Sequence, residues 1–152
     1  MDLLSQSDRE LLFAFSVLAS LVHGFEEGSG DLLAYFAKIA GFPTPPSWAS
    51  PFAVGIALPT TLAWFATLGY LHESQFALAL LLSARVTDSL LSHWLLLFFR
   101  RPNPGIYSTV LYIAEAAILA SLLAPEIRWD GIVLGFLPFL ITNPLWLRLF
   151  RD

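Results

Sequence analysis

Apolar residues run along this chain in five blocks, separated by short polar or Pro/Gly-rich breaks. The blocks cover Glu10 to Glu27, Pro51 to Leu71, Gln75 to Phe99, Ile106 to Ala124 and Gly131 to Leu147. A helix needs about 20 apolar residues to cross the hydrocarbon layer, so each block reads as a transmembrane helix, the first a little short. Asp31 to Ala40 predicts a further short helix with Leu32, Leu33, Tyr35, Phe36 and Ile39 on one side. Such a segment suits the membrane interface, and it reads equally as an ordinary connecting helix. Phe42 to Trp48, with Pro43, Pro45 and Pro46, is a stiff loop, and Pro59 predicts a kink in the second span. The expected fold is all-α: a single transmembrane domain over residues 1–152, built as a bundle of about five transmembrane helices plus a short interfacial helix.

Composition strengthens that reading. Of 152 residues, 57% are hydrophobic and 13% charged, where a soluble domain averages about 25% charged. The net charge is only -4 and there is no basic run, so nucleic acid is not an expected partner. The expected partners are the lipid bilayer and a lipophilic small molecule, with a homo-oligomer left open. Cysteine is absent, which removes disulfides, thiolate catalysis and thiolate metal ligands. The N-terminus carries Asp2, Asp8, Arg9 and Glu10 rather than a basic segment, so the first block is read as retained rather than as a cleaved leader. Lysine and arginine bias sets orientation. Lys38, Arg100, Arg101, Arg148 and Arg151 fall on one side of a five-span chain, against Arg9 and Arg128 on the other. The expectation is an N-terminus outside and a C-terminus in the cytoplasm.

The candidate chemistry begins where the first block ends, at His23-Gly24-Phe25-Glu26-Glu27. Residues three and four apart share a helix face, so His23, Glu26 and Glu27 lie together, below Ser16, Ala19 and Ser20. That small, polar stripe is expected to face other helices, with the bulky residues toward lipid. His93, in the third block, follows Ser89 by four residues and reaches similar depth if the first and third spans are neighbours. His23, Glu26, Glu27 and His93 are thus the expected metal ligands, and a His/carboxylate set suits zinc, iron or manganese.

Other charges within the blocks also need an explanation, because a charged side chain at a helix centre costs about 2.5–3.5 kcal/mol on insertion scales. Arg85 and Asp88 are three apart and can pair on one face. Glu115, on a stripe with Ser108, Tyr112 and Ala116, can join them in a buried network. Such a network either holds helices together or handles substrate and protons. The candidate catalytic residues are therefore Glu26, Glu27, Asp88 and Glu115, with Arg100 and Arg101 placed to bind an acidic group or to anchor the chain at the cytoplasmic surface.

These residues resemble a known family. His23-x-x-Glu26-Glu27 is similar to the signature of the HXXEE-domain membrane proteins, a family of uncharacterised function. The family's later Asn-x-x-x-His element is matched in part by Ser89-x-x-x-His93, and its basic turn by Arg100-Arg101-Pro102-Asn103-Pro104-Gly105. The chain departs from the pattern at Ser89, where the family has Asn, and at Pro102, where an aromatic is usual. The resemblance covers roughly residues 11–120 and implies a helical membrane protein with a shared polar site, without supplying a reaction.

The function expected from all this is a metal-dependent enzyme acting on a lipophilic substrate near the cytoplasmic face. The alternatives are metal-free acid–base isomerisation or cyclisation of an isoprenoid-like lipid, a small transporter, and an accessory subunit of a membrane complex.

Overall fold

A computed structural model describes residues 4–98, 103–124 and 127–137. The described residues are helical, joined by turns and loops without strands. Helix α1 is Gln6–Ser29. Its start is fixed by a capping box: Asp8 N–H donates to Ser5 Oγ, and Ser5 N–H donates back to the Asp8 carboxylate. The helix is longer at both ends than the apolar block that announced it, and it runs through Gly28 rather than breaking there. The reason is packing. Gly24 and Gly28, four apart, lie against Val54, Gly55, Pro51 and Pro59 of the next long helix. Small residues at this spacing let two helix backbones approach closely.

Asp31 caps α2, Leu32–Ala40, accepting from Ala34 N–H and from the Ser50 hydroxyl. Its Tyr35, Phe36 and Ile39 pack on the buried Leu96, so much of the apolar side lies against protein. The next long helix, α3, is Ala49–Leu71. It carries π-helical turns at Ala53–Ala57 and Thr67–Leu71. The first of these comes just before Pro59, whose ring nitrogen cannot donate to the regular ladder. A turn at His72-Glu73 follows, and Arg9 pairs with Glu73 there, tying the start of α1 to the end of α3.

Helix α4 covers 75–98 and changes its winding midway. Gln75–Val86 and Leu95–Phe98 are α-helical, and Thr87–Trp94 is π-helical. Helix α5 is Thr109–Leu123, and α6 covers 129–137. Helix α5 starts later than the apolar pattern predicts, because residues 104–108 form a turn with Gly105 at φ +97°, a region open mainly to glycine. Among these helices, α1 and α3 are long and apolar enough to cross a membrane.

Among the described residues, many large apolar side chains face outward while several polar and charged ones are buried. Leu11, Leu18, Phe25, Ile56, Trp64 and Val110 are exposed, while Ser16, His23, Glu27, Arg85, His93 and Glu115 are buried. The apolar part of the core gathers Ala19, Leu62, Ala66, Tyr70, Leu78 and Leu119. The sequence readings placed on Phe99, Arg100, Arg101 and Pro138 to Leu147 lie outside the described residues.

Candidate metal centre

Four side chains converge from two helices: His23 and Glu27 from α1, and Asp88 and His93 from α4. One ligand-type atom from each lies within 4.8 Å of all the others. His23 and Glu27 meet because they are four apart on a regular helix. Asp88 and His93 are five apart, a spacing that points to different sides of an α-helix. The π stretch, bonded i→i+5, stacks residues five apart instead. The local change of winding therefore creates half of the site.

Two of the four nearest spacings match a shared ion, and the 2.8 Å and 3.7 Å ones fall just outside. His23 Nε2 is 3.4 Å from Glu27 Oε1 and 2.8 Å from Asp88 Oδ2, and His93 Nε2 is 3.2 Å from Glu27 Oε1 and 3.7 Å from Asp88 Oδ1. A metal bound at about 2.0–2.2 Å by imidazole and carboxylate leaves neighbouring ligand atoms about 3.0–3.6 Å apart. Both Nε2 atoms, Glu27 Oε2 and Asp88 Oδ2 are buried without an aligned hydrogen-bond partner. Buried polar atoms are nearly always satisfied, so an unpartnered atom on each of these four clustered side chains fits a group that could hold a metal ion.

The far side of each imidazole is held. The Ser108 hydroxyl donates to Gly105 O at 3.1 Å, so its oxygen accepts from His23 Nδ1–H at 2.8 Å. Asn103 Nδ2 donates to Ser92 O at 2.7 Å, which turns its Oδ1 toward His93 Nδ1–H, also at 2.7 Å. This network assigns both rings the same tautomer, with the Nε2 lone pairs facing inward. A hydrogen bond behind a ligating imidazole is the usual means of fixing its orientation. Replacing Asn103 by Leu should therefore weaken metal binding by about 10–100-fold while all four ligands remain. Calorimetric titration of the purified protein checks this, and an unchanged affinity would remove Asn103 from the centre.

The turn of residues 104–108 closes one end of the site. A Cβ on Gly105 would come within 2.6 Å of His93 Cε1, 2.8 Å of Glu27 Cγ and 3.0 Å of His23 Cε1. Only a residue without a side chain fits there.

Glu26, expected among the ligands, is not brought into the cluster. Its carboxylate accepts from Tyr107 N–H at 3.2 Å and Ser108 N–H at 2.8 Å. These donors open α5, where a negative charge is favoured by the unsatisfied amides and the helix dipole. Adjacent carboxylates thus divide the work: Glu27 turns inward, and Glu26 latches the turn.

The expected Arg85–Asp88 pair is also corrected. Arg85 Nε donates to Glu115 Oε2 at 2.7 Å, and its Nη2 reaches Ser20 Oγ at 2.7 Å and Ser16 at 3.3 Å. Tyr70 donates to the other Glu115 oxygen, and the guanidinium lies 3.8 Å over the Tyr112 ring. Arg85 sits before the π stretch begins, so the two residues do not share a face as a regular helix would have it. Glu115 belongs to this inner ion pair rather than to the cluster. Tyr112 joins the two, with its ring centroid 4.3 Å from that of His23. Ser89 is fully buried and its hydroxyl has no hydrogen-bond partner. Asn103 and Ser108 had not been assigned these roles from sequence, although both lie in segments already singled out. Arg100 and Arg101 lie outside the described residues. Set against known proteins, neither family models, curated proteins nor solved structures give a match.

Proposed function

We propose that this chain is a polytopic membrane protein of five helical spans, with the N-terminus outside, and that its His23/Glu27/Asp88/His93 centre binds a divalent zinc, iron or manganese ion to act on a lipophilic substrate. The observation that carries this is the convergence of four side chains, each with a buried polar atom that lacks a hydrogen-bond partner, backed by Ser108 and Asn103 behind the imidazoles. The outward-facing apolar side chains and the buried polar ones support the membrane reading. The likeness of the first motif to HXXEE-domain proteins belongs to the same proposal.

Such an ion would supply Lewis acidity toward a substrate oxygen. His23 and His93 bind it through Nε2. Glu27 directs Oε1 to the imidazoles and keeps Oε2 unpaired, so it is positioned to take a proton. The turn at 103–108 and Tyr112 exclude water from this end.

The 2.8 Å approach of His23 Nε2 to Asp88 Oδ2 favours one alternative, in which a shared proton replaces the cation and the chemistry is metal-free acid–base work. Elemental analysis of protein purified in detergent separates the two. The metal reading expects stoichiometric divalent metal that chelators remove, with a loss of thermal stability that re-addition restores. Protein that is free of metal and indifferent to chelators would support the proton reading.

A further inference from the structure

Three of the four ligating side chains are sealed and one is not. His23, Glu27 and His93 are at most 2% exposed, whereas the Asp88 side chain keeps 28%. One end of the centre is closed by the turn that holds Gly105, so the open side is lateral. Along α4, Ala84, Leu91 and Ser92, within four residues of Asp88, are each partly exposed. Asp88 lies thirteen residues after Gln75 and ten before residue 98, about 20 Å and 15 Å from the two helix ends at 1.5 Å per residue. With α4 read as a span, as in the proposal above, on which this inference rests, Asp88 lies inside the hydrocarbon layer, in the half nearer the end of α1 at Ser29. The open edge then meets acyl chains.

Charge narrows what can use it. A divalent ion with the Glu27 and Asp88 carboxylates and two neutral imidazoles has no net charge. An added anion would leave uncompensated negative charge in a low-dielectric region, which is costly. Among the described residues, the nearby cation, Arg85, is fully buried and already paired with Glu115. We infer that the centre is reached sideways from the lipid phase, past Asp88, by a neutral lipophilic molecule that presents an oxygen donor such as a carbonyl or hydroxyl.

The natural chain has no cysteine, so single cysteines at Leu91 and Ser92 can carry nitroxide labels in reconstituted vesicles. Collisions with oxygen should exceed those with a water-soluble nickel chelate at both sites. Dominant nickel collisions would mean an aqueous opening and would overturn lateral access, whether or not the protein binds metal. In the wild-type protein loaded with manganese ion, lipid-soluble phenanthroline should strip the metal while EDTA leaves it in place. Equally fast stripping by EDTA would also overturn lateral access. A protein that holds no manganese at all would overturn the metal reading, and with it the ligand assigned here, whatever the nitroxides report.

Discussion

Replacing His93 by alanine is expected to empty the metal centre while leaving the helices assembled. Structural zinc sites bind with about 10–16 kcal/mol shared over four ligands, so one ligand is worth roughly 3 kcal/mol, or about a hundredfold in Kd. Asp88→Asn should act in the same direction, because Asp88 supplies one of the two compensating charges. Glu26→Gln is the informative contrast. Its carboxylate serves the amides of Tyr107 and Ser108, so the variant should keep its metal and lose stability instead. Metal content and thermal unfolding measured on the same samples check all three. If Glu26→Gln emptied the site and Asp88→Asn did not, the ligand set would be wrong.

Replacing Arg85 alone by methionine is expected to produce the largest loss of stability in the protein. The side chain is fully buried and bonded to Glu115, Ser16 and Ser20. Removing one partner of a buried ion pair costs about 3–5 kcal/mol, because the other charge is left uncompensated. Replacing Arg85 by methionine and Glu115 by leucine together should recover most of that loss, since the stranded charge is gone. If the double variant is stable and still binds metal, the pair is a structural strut between α4 and α5. If it is stable but inactive toward a substrate, the pair takes part in the chemistry. Denaturant unfolding of the two single variants and the double variant gives the coupling directly.

Much of the architecture could be read from residues. The inward stripe of α1 was read from regular helical spacing as Ser16, Ala19, Ser20, His23, Glu26 and Glu27, and all of these but Glu26 are buried. The meeting of His23 with His93 required only that α1 and α4 be neighbours. What regular spacing could not supply was Asp88. A period of 3.6 residues aligns it with Arg85, and only the π stretch turns it toward His93. Nothing local in Thr87 to Trp94 announces that winding, and the stretch packs against α5. Glu26 was misplaced for a related reason. Helical spacing says which residues share a face, but it does not say which neighbour each long side chain will find. Asn103 supplies the hydrogen bond to His93 from the turn after α4, ten residues along the chain, where no helical spacing announces it.

The turn at 103–108 has a consequence for biosynthesis. Every ligand is already in the chain by His93, but Asn103, Gly105 and Ser108 are made later. A nascent chain therefore carries both histidines before the residues that hold their rings. The cluster is completed only when the segment that starts α5 folds back over it, so a chain cut short before Asn103 should lack the finished arrangement.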